Sequence, residues 1–299
     1  MYKITIFSLF ALLFSACSQT PQTPIKHTVK KGCDYYSLKT AKCIDKVSIV
    51  KELQPYKVIM IGDHHPEDDL HKNIAKLITD LSKDGCKVIL ANEWFYPSDR
   101  ELLKKFESKK IDENEFVKEL KWSKRFKRHK YESFAPMYRA IRDNDGELYG
   151  VNMSKKFRKK ISDQNLSAMS EDELKFNNSL DLDVAPHRDL VLPFLSHCHA
   201  PKKDETLKEC IQRMYRVQVA WDSIMAQESY KLSKELKENE KLIVFAGSMH
   251  IENKLGIPLR FARKSSLHVA TIIPSTQTSI NNGLGDFIIY YEKIEEEKK

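Results

Sequence analysis

Three short polar clusters in this 299-residue chain carry residue types that could transfer protons or hold a metal ion. They are Gly62-Asp63-His64-His65, Asn92-Glu93 and Gly247-Ser248-Met249-His250. A carboxylate and two imidazoles that converge could bind a divalent metal or do acid–base work. The same groups could instead form a buried hydrogen-bonded cluster that fixes the loops. Both interpretations stay open on the sequence alone.

The segments in front of these clusters have the pattern of buried strands. Residues 56–62, 86–92 and 242–246 are short apolar runs, and a polar cluster lies at the end of each. Between the first two strands, apolar residues recur at helical spacing: Leu70, Ile74, Leu77, Ile78 and Leu81. Because the carboxyl ends of parallel strands share one edge of a sheet, we expect Asp63, His65, Glu93 and His250 to meet there.

The rest of the chain extends this alternation of strands and helices. Further strands are predicted at residues 148–151, 269–273 and 287–291. The pattern predicts an α/β fold, with a parallel sheet flanked by helices. From about residue 94 to residue 238 helices and loops dominate, so we expect a smaller helical subdomain beside the sheet. A long helix from about residue 204 to residue 238 should join the two parts.

The N-terminus has the composition of a bacterial lipoprotein signal peptide. Residues 1–17 contain a lysine, an apolar run over residues 4–14 and the sequence Ser15-Ala16-Cys17. The run is shorter than the roughly 20 residues that span a bilayer, which favours a cleaved signal over a transmembrane helix. We therefore predict lipidation at Cys17, and Ser18 favours the outer membrane as destination. The alternative is an ordinary secretory signal with a chance cysteine.

The segment after the predicted signal resembles a tether. Residues 18–31 are rich in Thr, Pro and Lys, so we expect an extended, flexible linker before a body at 32–299. The net charge is +8, with lysines spread along the chain. A basic surface suits anionic lipid or an anionic ligand, whereas nucleic acid is disfavoured in an exported protein.

Five cysteines follow Cys17, in a compartment where disulfides can form. Cys33 and Cys43 are close enough to staple an N-terminal hairpin, and Cys198 with Cys210 could close a short loop between helices. Cys86 precedes an apolar run and is expected to be a buried free thiol. No paired CxxC spacing indicates a zinc or redox site.

Four segments carry a family resemblance: IGDHHPEDDLHKN, LANEWF, YRVQVAWDSIMAQ and VFAGSMHI. In this order, and over essentially the whole mature chain, they resemble the ChaN family of haem-binding lipoproteins. The resemblance implies a parallel sheet with a small helical domain. It also implies haem at a dimer interface, with iron held by a tyrosine and propionates held by His and Lys of the partner. Asp63 stands where the family usually has Glu.

The long helix offers a residue for the implied iron ligand. One face of it carries Tyr215, Gln218, Asp222, Met225 and Ala226 at three- and four-residue steps. A phenolate is a hard anionic donor that favours ferric iron. Tyr215 is therefore the expected ligand, and Tyr131 in the stretch FKRHKYESF is the second candidate. A tyrosine packed in a helical core face is the structural alternative.

Propionates require cationic or strongly donating side chains. His197 and His199 lie just upstream of the tyrosine helix and are the expected contacts, with Lys202 or Lys203 as further candidates. The implied function is haem binding for iron acquisition rather than catalysis. The protein would act as a homodimer, and an outer-membrane haem receptor could deliver haem to it. The alternative, from the wider superfamily, is a metal-dependent hydrolase that uses Asp63, His65, Glu93 and His250.

Overall fold

The computed structural model describes residues 26–198 and 200–292. Its strands are β1 (Lys26–Thr28), β2 (Tyr35–Ser37), β3 (Lys42–Ile44), β4 (Val58–Asp63), β5 (Lys87–Asn92), β6 (Glu147–Gly150), β7 (Glu240–Gly247), β8 (Val269–Ser275), β9 (Ser279–Asn281) and β10 (Phe287–Tyr290). Its α-helices are α1 (Ser48–Leu53), α2 (Asp68–Lys83), α3 (Arg100–Glu107), α4 (Glu113–Leu120), α5 (Trp122–Arg125), α6 (Tyr131–Asp143), α7 (Lys155–Asp163), α8 (Glu171–Asn178), α9 (Ala185–Leu195), α10 (Leu207–Lys234) and α11 (Ile257–Ala262).

An eight-stranded sheet organises the molecule in the order β3-β2-β10-β8-β4-β7-β5-β6. The six strands from β10 to β6 are parallel, and the hairpin β2–β3 adds two antiparallel strands at one edge. This confirms the predicted α/β fold with a parallel sheet flanked by helices. Every predicted strand is present, with ends that differ by a few residues.

Helices cover both faces of the sheet, which is why its central strands are apolar throughout. Ile59 and Ile61 of β4 face one core, which includes α2 and α6. Val58 and Met60 face the other core, against α10 and α11. Because α2 follows β4 on one face and α11 follows β7 on the opposite face, a crevice opens between the carboxyl ends of these neighbouring strands. Open α/β folds place ligands at such a point.

The predicted helical subdomain is divided into two parts. Helices α3–α6 contribute Phe106, Phe116 and Trp122 to the main core, so they belong to the layer that covers the sheet. Helices α7–α9 instead pack on the N-terminal half of α10, around two small cores of their own. Strand β6 lies between the two groups and joins the edge of the sheet beside β5. Only the second group forms a separate helical unit.

The long helix is shorter than predicted. α10 begins at Leu207 because Thr206 caps it: the Thr206 hydroxyl accepts a hydrogen bond from the backbone N–H of Glu209, and the Glu209 carboxylate accepts one from that of Thr206. Tyr215, Gln218, Asp222, Met225 and Ala226 are all buried, as their shared face predicts. Within residues 26–198 and 200–292, no helix is both long and apolar enough to cross a bilayer.

The tether prediction is wrong for its last residues. Lys26–Thr28 form β1, which pairs antiparallel with β9, and Val29 is buried behind them. A strand that gains backbone hydrogen bonds and buries a valine is not a flexible linker. The predicted signal peptide, with Cys17, lies outside the described residues.

Both predicted disulfides are confirmed. Cys33 and Cys43 join the start of β2 to β3, and Cys198 and Cys210 join the end of α9 to the first turn of α10. Cys86 is a free thiol, but it is half-buried rather than buried.

Candidate functional site

The three polar clusters meet at the carboxyl edge of the sheet, as predicted. Strands β4, β7 and β5 are neighbours. Asp63 is the last residue of β4, while Glu93 and His250 follow the ends of β5 and β7. The Glu93 Oε2 atom accepts a hydrogen bond from the backbone N–H of Gly247 at 2.7 Å. His250 Nε2 lies 3.7 Å from Glu93 Oε1, and the His65 ring approaches the same glycine. We call His65, Glu93 and His250, with Asp63, the sheet-edge cluster.

Each carboxylate oxygen of Asp63 contacts an imidazole. Its Oδ2 atom lies 3.2 Å from His65 Nδ1, and its Oδ1 atom lies 2.8 Å from Nε2 of the buried His71. His71 in turn lies 3.0 Å from the Ser133 carbonyl. Burial raises the pKa of Asp63, but the hydrogen bonds from His65 and His71 outweigh it, and the net pKa is lowered. Asp63 is therefore an ionised group that positions histidines.

His250 is held in the same way from the opposite face. Its Nδ1 atom lies 2.5 Å from Asp222 Oδ1 and 3.0 Å from the Gln218 carboxamide nitrogen. Burial lowers the pKa of His250, but the carboxylates of Glu93 and Asp222 outweigh it and raise the pKa to about 9. The two carboxylates therefore favour the protonated form of the imidazole.

The geometry of the sheet-edge cluster does not favour a metal site. Among the residues described, the one set of three possible ligand atoms within 4.8 Å of one another belongs to Cys198, Glu205 and Cys210. Those two cysteines are joined in a disulfide, so their thiolates are not available. The sheet edge therefore fits the second sequence interpretation, a buried hydrogen-bonded cluster, and the metal-dependent hydrolase is not favoured.

A row of buried contacts connects the sheet edge to Tyr215. Beyond His250, the fully buried Asp222 places Oδ2 2.9 Å from His187 Nε2. The two atoms are close, although the angle between the groups is poor for a hydrogen bond. The other nitrogen of His187, Nδ1, lies 3.2 Å from the Tyr215 hydroxyl. Asp222 thus joins two regions that are distant in sequence.

Tyr215 forms part of the wall of a groove between the small helical unit and α10. The groove has a volume of about 1180 Å³. Its apolar lining residues are Leu182, Leu192, Leu207 and Ile211. Its cationic ones are Arg188, Lys202, Lys203, Lys208, Arg213 and Arg216, and its carboxylates are Asp163, Asp183, Asp204, Glu205 and Glu209. Leu207 of this lining is 58% exposed. We call this cavity the tyrosine groove.

Charges around the tyrosine ring act on its phenol in opposite directions. Burial raises the pKa of Tyr215, and the guanidinium of Arg188, 5.6 Å from the ring centroid, opposes that rise. The net pKa is above the ordinary value. The phenol is therefore protonated at neutral pH unless a metal ion binds its oxygen and displaces the proton.

Half of the groove's cations are already paired. Arg213 binds Glu205 at 2.6 Å, and Lys202 lies 2.7 Å from Asp163. Arg188 has a looser, exposed contact with Asp183 at 3.3 Å. In the described part of the chain no ion pair involves the remaining three cations, which are Lys203, Lys208 and Arg216. These three are available to an anionic ligand.

The other predicted haem contacts lie elsewhere. His197 is exposed in the turn after α9 and is not among the residues that line the groove, while His199 lies outside the described residues. Tyr131 is buried at the start of α6, with its ring 5.3 Å from that of Trp122. Its position in an aromatic core favours Tyr215 over Tyr131 as a ligand that a groove can reach.

Sequence reasoning missed His71 and His187, which complete the two buried networks. A signal existed for His71, because it lies beside Leu70 on the apolar stripe of α2, where a polar residue needs a buried partner. His187 gave no comparable signal. It lies in the first turn of a short helix, 28 residues before Tyr215, and only the folded chain shows that they touch.

Comparisons with known proteins agree with this architecture. A family model described as "Haem-binding uptake, Tiki superfamily, ChaN" matches residues 49–261. The solved structure of ChaN of Campylobacter jejuni, whose description is cofacial heme binding, is 21% identical and superimposes with a TM-score of 0.67. The match covers 86% of this chain and 96% of that one. At this identity the likeness shows the fold.

Two further solved structures are more distant. The type III effector HopBA1 is 15% identical, with a TM-score of 0.49, over 83% of this chain and 93% of its own. The erythromycin esterase EreC, in an open conformation, is 11% identical, with a TM-score of 0.46, over 80% of this chain and 76% of its own. No curated protein sequence matches the chain.

Proposed function

The chain belongs to the ChaN family of haem-binding uptake proteins, and from this premise we propose that it binds ferric haem in the tyrosine groove. The observation that carries the proposal is a phenol, an apolar lining and unpaired cations around one cavity. Each of these features matches one part of haem. The residues present therefore fit the group.

The apolar residues suit the macrocycle. Leu192 and Ile211 line the same cavity as Tyr215, and Leu207 presents its exposed side chain there. Covering such surface with a flat apolar ligand stabilises the complex by roughly 25 cal/mol for each Å² removed from water. The unpaired cations Lys203, Lys208 and Arg216 would bind the carboxylates at the edge of the ligand by charge-assisted hydrogen bonds.

Haem would supply a ferric iron that binds an oxygen donor, and Tyr215 is the phenol of the groove that would provide one on losing its proton. His187 is the hydrogen-bond partner of the Tyr215 hydroxyl and fixes its direction. Asp222 holds His187 in place from behind. Arg188 favours the anionic form of the phenol because its positive charge lies near the ring.

We extend the proposal to the assembly. A groove with an exposed leucine on its rim leaves one side of a bound macrocycle in water, and a second copy of the chain could cover it. Propionate contacts from His197, or from His199, would then come from the partner subunit. Haem that contacts both subunits would shift monomer toward dimer by mass action.

The proposal also includes the location of the protein in the cell. Lipidation at Cys17 would anchor the protein in the outer membrane, where it could receive haem from a membrane receptor for iron acquisition. Replacing Cys17 by Ser should release the protein from the membrane fraction. Equal membrane retention of the variant would contradict the anchor.

Titration of the purified protein with ferric haem tests the function. We expect saturable binding with a high-spin ferric tyrosinate absorption spectrum, and sedimentation should show dimers that form with haem. Tyr215→Phe should lose that spectrum and the tight binding. Tyr230→Phe is the matched control, since Tyr230 lies on the same helix and packs against Phe261 instead. An unchanged spectrum in Tyr215→Phe would direct the search to Tyr131.

A further inference from the structure

A second cavity lies on the other side of the sheet edge and is lined mostly by cations. It has a volume of about 440 Å³. Its positive side chains are Lys124, Arg125, Lys127, Arg128 and Lys155, and the rings of Trp94, Phe126 and His129 complete the lining. We call it the basic pocket. It shares no lining residue with the tyrosine groove.

Most of this charge is uncompensated. Arg125 binds the Asp99 carboxylate through two contacts of 2.8 Å and 3.1 Å. The other four cations form no ion pair within residues 26–198 and 200–292. Like charges gathered around one cavity repel one another and lower the stability of the fold. An arrangement of this kind favours an anion that neutralises several cations together.

The pocket is attached to the sheet-edge cluster by a group of three rings. Trp94 and His129 have ring centroids 4.9 Å apart, and His65 lies 5.0 Å from the first and 4.9 Å from the second. His65 is about one-third exposed and lies next to the pocket, although it is not one of the lining residues. Asp63 holds the opposite side of the imidazole. Trp94 and His129, which line the pocket, therefore connect it to the sheet-edge cluster through their contacts with His65.

The segment that carries the cations is fixed in place. The Trp122 indole N–H donates to the carbonyl of His129 at 2.7 Å. The Arg125 guanidinium covers the Tyr96 ring at 4.4 Å, and the ring of Phe126 packs 5.0 Å from that of Trp94. Because the backbone between Lys124 and His129 is held by these contacts, a ligand need order only the ends of the lysine and arginine side chains.

We propose that the basic pocket binds a phosphate group, as a free phosphorylated small molecule or as the headgroup of an anionic lipid. Ammonium and guanidinium groups are the side chains that bind phosphate oxygens most strongly. Five cations around one open cavity favour a ligand that carries more than one negative charge. The binding does not depend on haem, because the two cavities have separate walls.

Calorimetric titration of the haem-free protein with pyrophosphate, at about 0.15 M ionic strength, tests the proposal. We expect saturable binding that weakens about tenfold in the double variant Lys127→Gln/Arg128→Gln, since two charged contacts with the phosphate oxygens are lost. The matched control is Lys110→Gln/Lys118→Gln. It removes the same charge from exposed lysines outside the pocket, and its affinity should stay within about twofold of the parent protein.

Vesicles of phosphatidylcholine with and without phosphatidylglycerol identify the source of the phosphate. Binding of both pyrophosphate and anionic vesicles, each lost in the pocket variant, supports the proposal with a lipid headgroup as ligand. Pyrophosphate binding alone supports a free metabolite. Equal losses in the pocket variant and the control, or no binding at this ionic strength, would overturn the proposal. A pocket variant that loses haem affinity as well would contradict the independence of the two cavities.

Discussion

The sheet-edge cluster and the tyrosine groove contain similar residue types but differ in how far their charged side chains are paired within the protein. At the sheet edge, Asp63 and His250 each have short contacts to buried partners, so their charges are satisfied within the protein. In the groove, Lys203 and Arg216 have no such partner within the described residues, and Leu207 is exposed. The comparison teaches that a convergence of ionisable residues identifies a ligand site only when some of them remain unpaired.

Replacement of Asp222 should have the largest effect of the variants that test this difference. Asp222→Ala should destabilise the fold by about 3–5 kcal/mol, because it leaves the imidazoles of His250 and His187 buried without their anion. Urea unfolding measures the loss. Asp183→Ala, at an exposed carboxylate beside the groove, should change stability by less than about 1 kcal/mol. A similar cost for the two variants would mean that the buried network is not structural.

The pH dependence of stability tests the charge of His250. Its pKa in the folded protein is raised to about 9, above the ordinary value of about 6.5. The resulting stabilisation is fully present below pH 6.5 and is lost as the pH rises through 9, with a total on the order of 3 kcal/mol. His65, whose pKa is also raised, contributes in the same direction.

Urea unfolding between pH 6 and pH 10 measures this change. The fall in the free energy of unfolding should be clearly smaller in His250→Gln than in the parent protein. Equal slopes in the two proteins would show that His250 is not the titrating group.

His187 links the two regions, and its removal should affect the groove more than the fold. In His187→Gln we expect haem affinity to fall about tenfold, because the Tyr215 hydroxyl loses the partner that directs it. The absorption spectrum of bound ferric haem should change with it. His268→Gln, at an exposed histidine outside both regions, is the control. Unchanged affinity and spectrum in His187→Gln would leave His187 with a packing role alone.

Lys202 and Lys203 allow a paired and an unpaired cation of the groove to be compared directly. Lys203→Gln should weaken haem binding about threefold, as expected for one exposed charged contact. Lys202→Gln should weaken it less, since Lys202 is already bound to Asp163. Haem titrations of the two variants provide the measurement. A greater loss in Lys202→Gln would reverse the assignment.

Much of this comparison could be predicted from the sequence. Strand patterns placed Asp63, Glu93 and His250 at one edge, because parallel strands end together and short apolar runs are distinctive. Helical spacing placed Tyr215 and Asp222 on one face of α10. These predictions depend on local periodicity, which the sequence carries directly.

The rest depends on contacts between distant segments. Nothing in residues 185–195 indicates that His187 reaches Tyr215, and nothing in residues 26–28 indicates pairing with β9. The sequence also could not distinguish paired from unpaired cations, since Lys202 and Lys203 differ only in what the fold places beside them. Partner choice across the fold is what the structure adds.

The central claim is that ferric haem is held by the groove and not by the sheet edge. Absorption spectra of ferric haem bound to Tyr215→Phe and to the double variant His65→Gln/His250→Gln test it most directly, with the parent protein as reference. We predict that the double variant keeps the tyrosinate spectrum and that Tyr215→Phe loses it. A tyrosinate spectrum that survives in Tyr215→Phe, or that disappears in the double variant while the protein stays folded, would contradict the account.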